Sequence, residues 1–143
     1  MTATPLAAPV AAVTFDLDFT LWDITGVIGH AEQVCHGLLE QRYPAVAELY
    51  DVEAMRALRA QIAGSRPEIA HDVTELRRVG LRQAGLEAGL AGDRLEAMVD
   101  EAFDVFLEAR HAVRLYDDAM PILQALHGRV PIGAVTNGNA DVG

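Results

Sequence analysis

The stretch VAAVTFDLDFTLWD, residues 10–23, joins a short apolar run to a segment that carries three aspartates. The run at residues 10–15 is small, apolar or β-branched, which is typical of a strand buried on both faces of a parallel sheet. Asp16 ends this run. Because ligands of open α/β sheets lie beyond the carboxyl ends of the strands, the polar residues that follow are candidates for a functional site.

A second apolar run, VPIGAV at residues 130–135, is followed directly by Thr136 and Asn137. It predicts a second buried strand with polar residues at its carboxyl end. Between the two runs, apolar residues recur at three- and four-residue spacing, which predicts amphipathic helices. These helices are expected to start near Thr25, Asp51, Pro67 and Asp93, with Pro44 ending the first or beginning another, and a shorter helix is expected to follow Asp117 or Asp118.

The order of these elements predicts the fold class and the domains. Strands that bound helices indicate an α/β fold with a parallel sheet. The connection between the two strands is far longer than a single crossover helix, so most of it is expected to be an inserted helical domain. The expected organisation is a first core segment at residues 1–24, a helical insertion at 25–113 and a second core segment at 114–143.

Composition narrows the classes of partner. The chain has 143 residues, 51% hydrophobic, with a formal net charge of −10. The acidic balance argues against nucleic acid or an anionic membrane as the main partner, and the single cysteine excludes an intramolecular disulfide framework. No apolar run approaches the roughly 20 residues of a transmembrane helix. We therefore expect a cytoplasmic protein.

Asp16 and Asp18 are the strongest candidates for chemistry. Side chains two apart in an extended segment point the same way, so both carboxylates could face one crevice. Such a pair offers oxygen ligands to Mg²⁺, and it lets one ionised group attack phosphorus while the other carries a proton. The alternative is an Asp-rich turn, which the preceding strand and Thr20 disfavour. Trp22 is expected to pack in a core or hinge, or to stack on an aromatic substrate.

Thr136 and Asn137 form the second candidate site. A hydroxyl at the end of a strand can donate to a phosphate oxygen, and the N–H groups of a turn can form an anion-binding nest. The alternative is that Asn137-Gly138 only makes a tight turn.

Two further groups are weaker candidates. His30, Cys35 and His36 could suggest a metal cluster, but Cys35 falls on the apolar face of the predicted helix. A buried thiol and a surface imidazole at His36 are the simpler interpretation. His71 and Asp72 could form a general-base pair, or simply belong to a polar helix face.

Taken together, the motifs VAAVTFDLDFT and PIGAVTN resemble the two strand-end motifs of the haloacid dehalogenase superfamily. In that superfamily the first motif is hhhhDxDxT and the second is hhhhT/S, where h is a hydrophobic residue and x is any residue. It also carries a helical cap inserted just after the first motif. The resemblance therefore spans nearly the whole chain and implies a Rossmann-like parallel sheet core with an all-helical cap.

The resemblance also implies a role for each motif residue. Asp16 would be the nucleophile and a Mg²⁺ ligand. Asp18 would protonate the leaving oxygen, later activate water, and bind Mg²⁺ through its backbone carbonyl. Thr136 would hold the transferring phosphoryl group, and Thr20 and Asn137 would support this phosphate-binding site. An aspartate at position 18 favours phosphate transfer over dehalogenation, because a leaving alkoxide needs a proton and a halide does not.

Three tracts, TFDLDFTLWD, RPEIAHDVTELR and VTNGNADV, are similar to those of bacterial flavin mononucleotide phosphatases. These enzymes also act on 5-amino-6-(5-phosphoribitylamino)uracil in riboflavin biosynthesis. The resemblance implies a small phosphorylated metabolite of the flavin pathway as substrate. The alternative within the superfamily is another small-metabolite phosphatase, for a sugar or a nucleotide.

The chain also departs from the family pattern. The family's third motif carries a basic residue, usually Lys, and its fourth carries an acidic pair, whereas all eleven basic residues here are Arg. Arg129 precedes the second strand and is poorly placed to substitute. Phe19 stands where Gly, Asn or Asp is common, and is interpreted as tolerated. We expect the chain to be the N-terminal portion of a phosphatase and to be inactive alone. The alternative is an interaction module.

Overall fold

The computed structural model describes residues 9–136 and shows a mixed α/β fold. Within that range the elements follow in the order β1 (Val13–Phe15), β2 (Trp22–Asp23), α1 (Val27–Arg42), α2 (Pro44–Leu49), α3 (Val52–Ser65), α4 (Val73–Glu87), α5 (Gly92–His111), β3 (Arg114–Leu115), α6 (Ala119–Leu126) and β4 (Ile132–Ala134).

The described residues divide into two compact units. Residues 9–25 and 113–136 form the sheet unit, and residues 26–112 form the helical unit. In the chain, the helical unit is inserted between the two segments of the sheet unit. That the units are independent domains with boundaries at 24/25 and 113/114 stays a prediction.

The sheet unit contains two pairs of strands. β1 and β4 pair in parallel with Phe15 beside Ala134, as the two apolar runs predicted. β2 and β3 form a short antiparallel pair with Trp22 beside Leu115, which the sequence analysis did not predict. Leu17, Leu21 and Ala119 form a small buried cluster in this unit.

The prediction that both strands of the parallel pair are buried on both faces is wrong. β1 is only half-buried, and all three residues of β4 are exposed. Burial on both faces requires neighbouring strands and covering helices. In residues 9–136, β4 has β1 as its paired neighbour, and α6 leaves Met120 and Ile122 exposed.

Aspartate caps set the starts of two helices in the helical unit. Asp51 accepts a hydrogen bond from the Ala54 N–H at 2.7 Å, as its position before the apolar spacing predicted. Asp72 accepts one from the Glu75 N–H at 2.9 Å, so α4 begins at Val73. The prediction that this helix starts at Pro67 is wrong, because residues 67–71 form turns.

A large apolar core lies among these helices, and a glycine allows two of them to approach closely. A Cβ at Gly85 of α4 would lie 2.5 Å from both Leu95 Cδ1 and Met98 Cε of α5. α4 continues through Gly85 and ends at Glu87. The fully buried large side chains of the unit are Leu39, Val46, Leu81, Met98, Val99 and Phe106. None of the helices in residues 9–136 is long and apolar enough to cross a membrane.

A buried carboxylate joins three helices of the helical unit. Glu32 of α1 is only 6% exposed and accepts hydrogen bonds from three guanidinium groups. Arg56 Nε lies 2.7 Å from Glu32 Oε2, Arg77 Nη2 lies 3.5 Å from Oε1, and Arg59 also donates to Oε1. Burial lowers the pKa of both Arg59 and Arg77. The charge of Glu32 therefore compensates two largely buried cations.

Replacing this carboxylate is expected to destabilise the helical unit strongly. Glu32→Ala should cost about 3–5 kcal/mol, because it leaves Arg59 and Arg77 buried without their counterion. Urea unfolding followed by far-UV circular dichroism measures the effect. Glu53→Ala is the matched control: Glu53 also pairs with Arg56 but is 76% exposed, so about 0–1 kcal/mol is expected. Equal losses in the two variants would contradict this account.

Candidate functional site

Asp16 lies at the carboxyl end of β1, on the exposed surface of the sheet unit. The Phe15 carbonyl oxygen accepts a hydrogen bond from the Val135 N–H at 2.9 Å, so the parallel pairing continues to the end of both strands. If the same register is extended by one residue, Asp16 is opposite Val135. Thr136 follows at once, so Asp16 and Thr136 emerge from the same end of the strand pair.

The two carboxylates of the first motif flank a buried leucine. Leu17 is 4% exposed, whereas Asp16 is exposed and Asp18 is half-buried. This alternation is that of an extended segment, in which the side chains on either side of Leu17 point away from the interior. Both residues thus lie just beyond the end of β1, where ligands bind in open α/β sheets, with Asp16 exposed and Asp18 partly accessible.

A tight turn follows Asp18 and orients its carboxylate. The N–H groups of Thr20 and Leu21 donate to the Leu17 carbonyl oxygen at 3.1 and 2.9 Å. The chain reverses within this turn, and the Trp22 indole Nε1–H donates to Asp18 Oδ1 at 2.8 Å. The half-buried Trp22 ring also packs against the buried cluster of Leu17, Leu21 and Ala119.

Trp22 is thus a residue whose contact with the site the sequence analysis missed. Its expected packing in a core is confirmed, but its hydrogen bond to Asp18 adds a positioning role. The four-residue spacing of Asp18 and Trp22 permits this hydrogen bond, but the bond forms only if the chain turns between the two residues.

The remaining predicted phosphate-binding residues are only partly described. Thr20 is exposed in the turn, and Thr136 is half-buried at the end of β4. Asn137 lies outside the described residues. The roles of these three residues, and of Asp16 and Asp18, stay predictions.

The donor set at the end of β1 fits a magnesium ion. Mg²⁺ usually binds through one or two carboxylates and fills its remaining positions with water and substrate phosphate. Asp16 can provide one carboxylate, and the backbone carbonyl of Asp18 a second oxygen. In residues 9–136, the end of β1 included, no group of three or more His, Cys, Asp or Glu side chains is placed to hold a metal ion. The residues present therefore suit a metal shared with a phosphorylated ligand better than a site enclosed by protein ligands.

Among the weaker candidates, Cys35 is buried in the core of the helical unit and Asp72 caps a helix. Burial raises the pKa of Cys35 to about 11, so its thiol is protonated at neutral pH. The prediction of a surface imidazole at His36 is wrong. Its side chain is only 17% exposed, and it lines a cavity together with Cys35 and Met55. Asp72 is the N-cap of α4, while His71 is exposed beside it.

A family model, a curated protein and a solved structure each match most of this chain. The model of the haloacid dehalogenase-like hydrolases matches residues 10–142. The 5-amino-6-(5-phospho-D-ribitylamino)uracil phosphatase YigB of Escherichia coli (strain K12) is 34% identical over 131 residues, which are 92% of this chain and 55% of YigB.

A solved structure extends the similarity to the fold. The crystal structure of 2-haloacid dehalogenase from Pseudomonas syringae pv. Tomato DC3000 has 36% sequence identity and a TM-score of 0.84. The match covers 94% of this chain and 58% of that one. The chain thus spans little more than half the length of either relative.

Proposed function

Because the chain belongs to the haloacid dehalogenase-like hydrolase family, as its two motifs predicted, we propose that it carries the nucleophile and the proton donor of a phosphomonoester hydrolase. The observation that carries this proposal is the second carboxylate, Asp18, which the Trp22 indole holds beside the end of β1. Asp16, two residues earlier, is exposed to an incoming phosphate.

The two named relatives carry different activities, and Asp18 discriminates between them. A halide leaves as a stable anion, so a dehalogenase has no need of a proton donor at this position. An alkoxide leaving group needs a proton in the transition state. The presence of an oriented Asp18 therefore supports phosphate ester hydrolysis for this chain.

The proposed reaction has two steps. A carboxylate oxygen of Asp16 attacks phosphorus, the P–O ester bond breaks, and protonated Asp18 gives its proton to the leaving oxygen. Asp18 then takes a proton from water as the water oxygen attacks the same phosphorus, which releases inorganic phosphate and restores Asp16. Thr136, with Thr20 and Asn137, holds the oxygens of the phosphoryl group.

Charge neutralisation is the remaining requirement. Mg²⁺, when bound by Asp16 and Asp18, offsets the negative charge of the phosphate. The chain contains no Lys, and Arg129 is exposed before β4. We therefore propose that full activity needs a further basic group, and that residues 1–143 alone turn over little or no substrate.

The proposed substrate is a flavin-pathway phosphate, either flavin mononucleotide or 5-amino-6-(5-phosphoribitylamino)uracil. The similarity to YigB supports this choice. The test is a panel of these two compounds, glucose 6-phosphate, a nucleoside monophosphate and 2-chloropropionate, with phosphate or chloride release measured in Mg²⁺ and in a chelator. Residues 1–143 are compared with any longer product of the same reading frame. Chloride release without phosphate release would contradict the proposal.

The hydrogen bond from Trp22 gives a first prediction about the mechanism. Trp22→Phe keeps an aromatic ring in the buried cluster but removes the donor to Asp18 Oδ1. We expect kcat to fall by about tenfold, with a larger loss for poor leaving groups, because the misplaced acid protonates them less well. The melting temperature and KM should change little. An unaltered kcat would show that Asp18 does not depend on this bond.

A further inference from the structure

Phe19 adopts a backbone conformation that its side chain disfavours. Its φ is +60°, and it is the one non-glycine residue with a positive φ in the described part of the chain. The left-handed region brings Cβ close to the neighbouring carbonyl oxygen, so Gly, Asn and Asp occupy it far more readily than a bulky aromatic residue. A strained residue beside a candidate site points to a role in function.

The turn explains the conformation but not the aromatic side chain. The Phe19 N–H donates to the Trp22 carbonyl oxygen at 2.8 Å, and the left-handed residue lets the chain reverse so that the Trp22 indole reaches Asp18. Glycine or asparagine at this position would make the same turn with less strain. The turn therefore requires the positive φ and gives no reason for a phenyl ring.

Packing does not explain the ring either. Phe19 is 63% exposed and is absent from the buried cluster of the sheet unit, which contains Leu17, Leu21 and Ala119. Because the Phe19 ring is mostly exposed, it contributes little hydrophobic stabilisation to offset the strain of the positive φ. Its place in the chain is next to Asp18, and consecutive Cα atoms are about 3.8 Å apart.

We propose that the Phe19 ring is a contact surface for a flat aromatic ring in the ligand and so selects phosphomonoesters that carry one. The inference rests on the proposed function, since it requires the ligand's phosphate to lie at Asp16 and Asp18. A phosphate held there leaves the rest of the ligand within reach of the adjacent residue. Stacking on the exposed phenyl face then favours a ringed ligand over an aliphatic one with the same phosphate.

The binding test uses two ligands that differ only in the ring. Flavin mononucleotide and D-ribitol 5-phosphate share the ribityl chain and the phosphate, and their Kd values are measured by calorimetry with Mg²⁺. Phe19→Asn is expected to raise the Kd of flavin mononucleotide about three- to tenfold and to leave that of D-ribitol 5-phosphate unchanged. Phe19→Tyr, which keeps a ring, should retain the wild-type preference.

Thermal unfolding distinguishes a Phe19 ring that is free to contact a ligand from one that packs within the protein. Asparagine tolerates the left-handed region, so Phe19→Asn should raise the melting temperature by roughly 2–4 °C. Leu49→Asn is the matched control, because it removes another exposed apolar side chain at a position without a positive φ. It should leave both Kd values unchanged. A lower melting temperature for Phe19→Asn would show that the ring packs within the protein and would overturn the inference.

The remaining outcomes distinguish this inference from the proposed function. Equal Kd values of flavin mononucleotide in wild type and Phe19→Asn would overturn the ring contact while leaving hydrolysis intact. Ring-dependent binding without any phosphate release, in residues 1–143 and in any longer product, would overturn the hydrolase and leave the ring contact standing. A wild type that binds D-ribitol 5-phosphate as tightly as flavin mononucleotide would overturn the inference directly.

Discussion

In a form of the protein that turns over phosphate esters, Asp16→Asn is expected to reduce the rate of hydrolysis by at least about a thousandfold. The amide has nearly the shape of the carboxylate but cannot attack phosphorus, so the first bond does not form. Asp16 also follows β1 on the exposed surface, so the substitution disturbs no buried contact. Single-turnover phosphate release, measured beside the melting temperature, tests whether the loss is chemical.

A neighbouring aspartate provides the matched control for this variant. Asp23 lies in the same motif, and its Oδ1 accepts a hydrogen bond from the Thr25 N–H at 2.7 Å. A hydrogen bond with the Thr25 side chain, together with this backbone bond, lowers the pKa of Asp23, so its carboxylate has a local structural role. Asp23→Asn makes the same chemical change and should leave kcat within a few-fold of wild type. Near-normal turnover by Asp16→Asn would refute the assignment of the nucleophile.

Asp18→Asn is expected to slow hydrolysis by roughly 10²–10⁴-fold for substrates with basic leaving groups. The side-chain oxygen of asparagine can still accept the Trp22 indole N–H, so the variant keeps the geometry of the turn and removes proton transfer. Binding of the phosphoryl group should change little. The second step also slows, because no group takes a proton from the attacking water.

Leaving-group dependence is the measurement that identifies this role. Aryl phosphates leave with little help from a proton, so the loss for p-nitrophenyl phosphate should be much smaller than the loss for an alkyl phosphate, as long as the first step limits the rate. Wild type is the reference for each substrate. An equal loss across leaving groups of very different basicity would argue that Asp18 acts through charge or metal binding and not as an acid.

Local signals in the chain predicted much of this architecture. The positions of Asp51 and Pro44 predicted the start of α3 and the break between α1 and α2. These predictions hold because capping and the fixed φ of proline act over a few residues and need no distant partner. The parallel pairing of β1 with β4 was predictable for a related reason, since both are short apolar runs separated by a long helical segment.

Other features depend on residues far apart in the sequence. β2 and β3 have two residues each, which is too short to show the alternating hydrophobic pattern of a strand. They pair although the whole helical unit separates them in the sequence. Glu32 looks like an ordinary polar helix residue, yet Arg56, Arg59 and Arg77 from two other helices converge on it. The burial of His36 likewise follows from the packing of α1 and not from its immediate neighbours.

By itself the sequence determined the family, the α/β class and the identity of the candidate carboxylates, because a strand followed by Asp-x-Asp-x-Thr is a local pattern. The tertiary structure decided how those carboxylates are presented. It showed that a turn with Phe19 in the left-handed region brings the Trp22 indole to Asp18, and that β4 is exposed. Hydrogen-bond partners and burial depend on which segments the fold brings together, and the spacing of residues along the sequence does not show which segments those are.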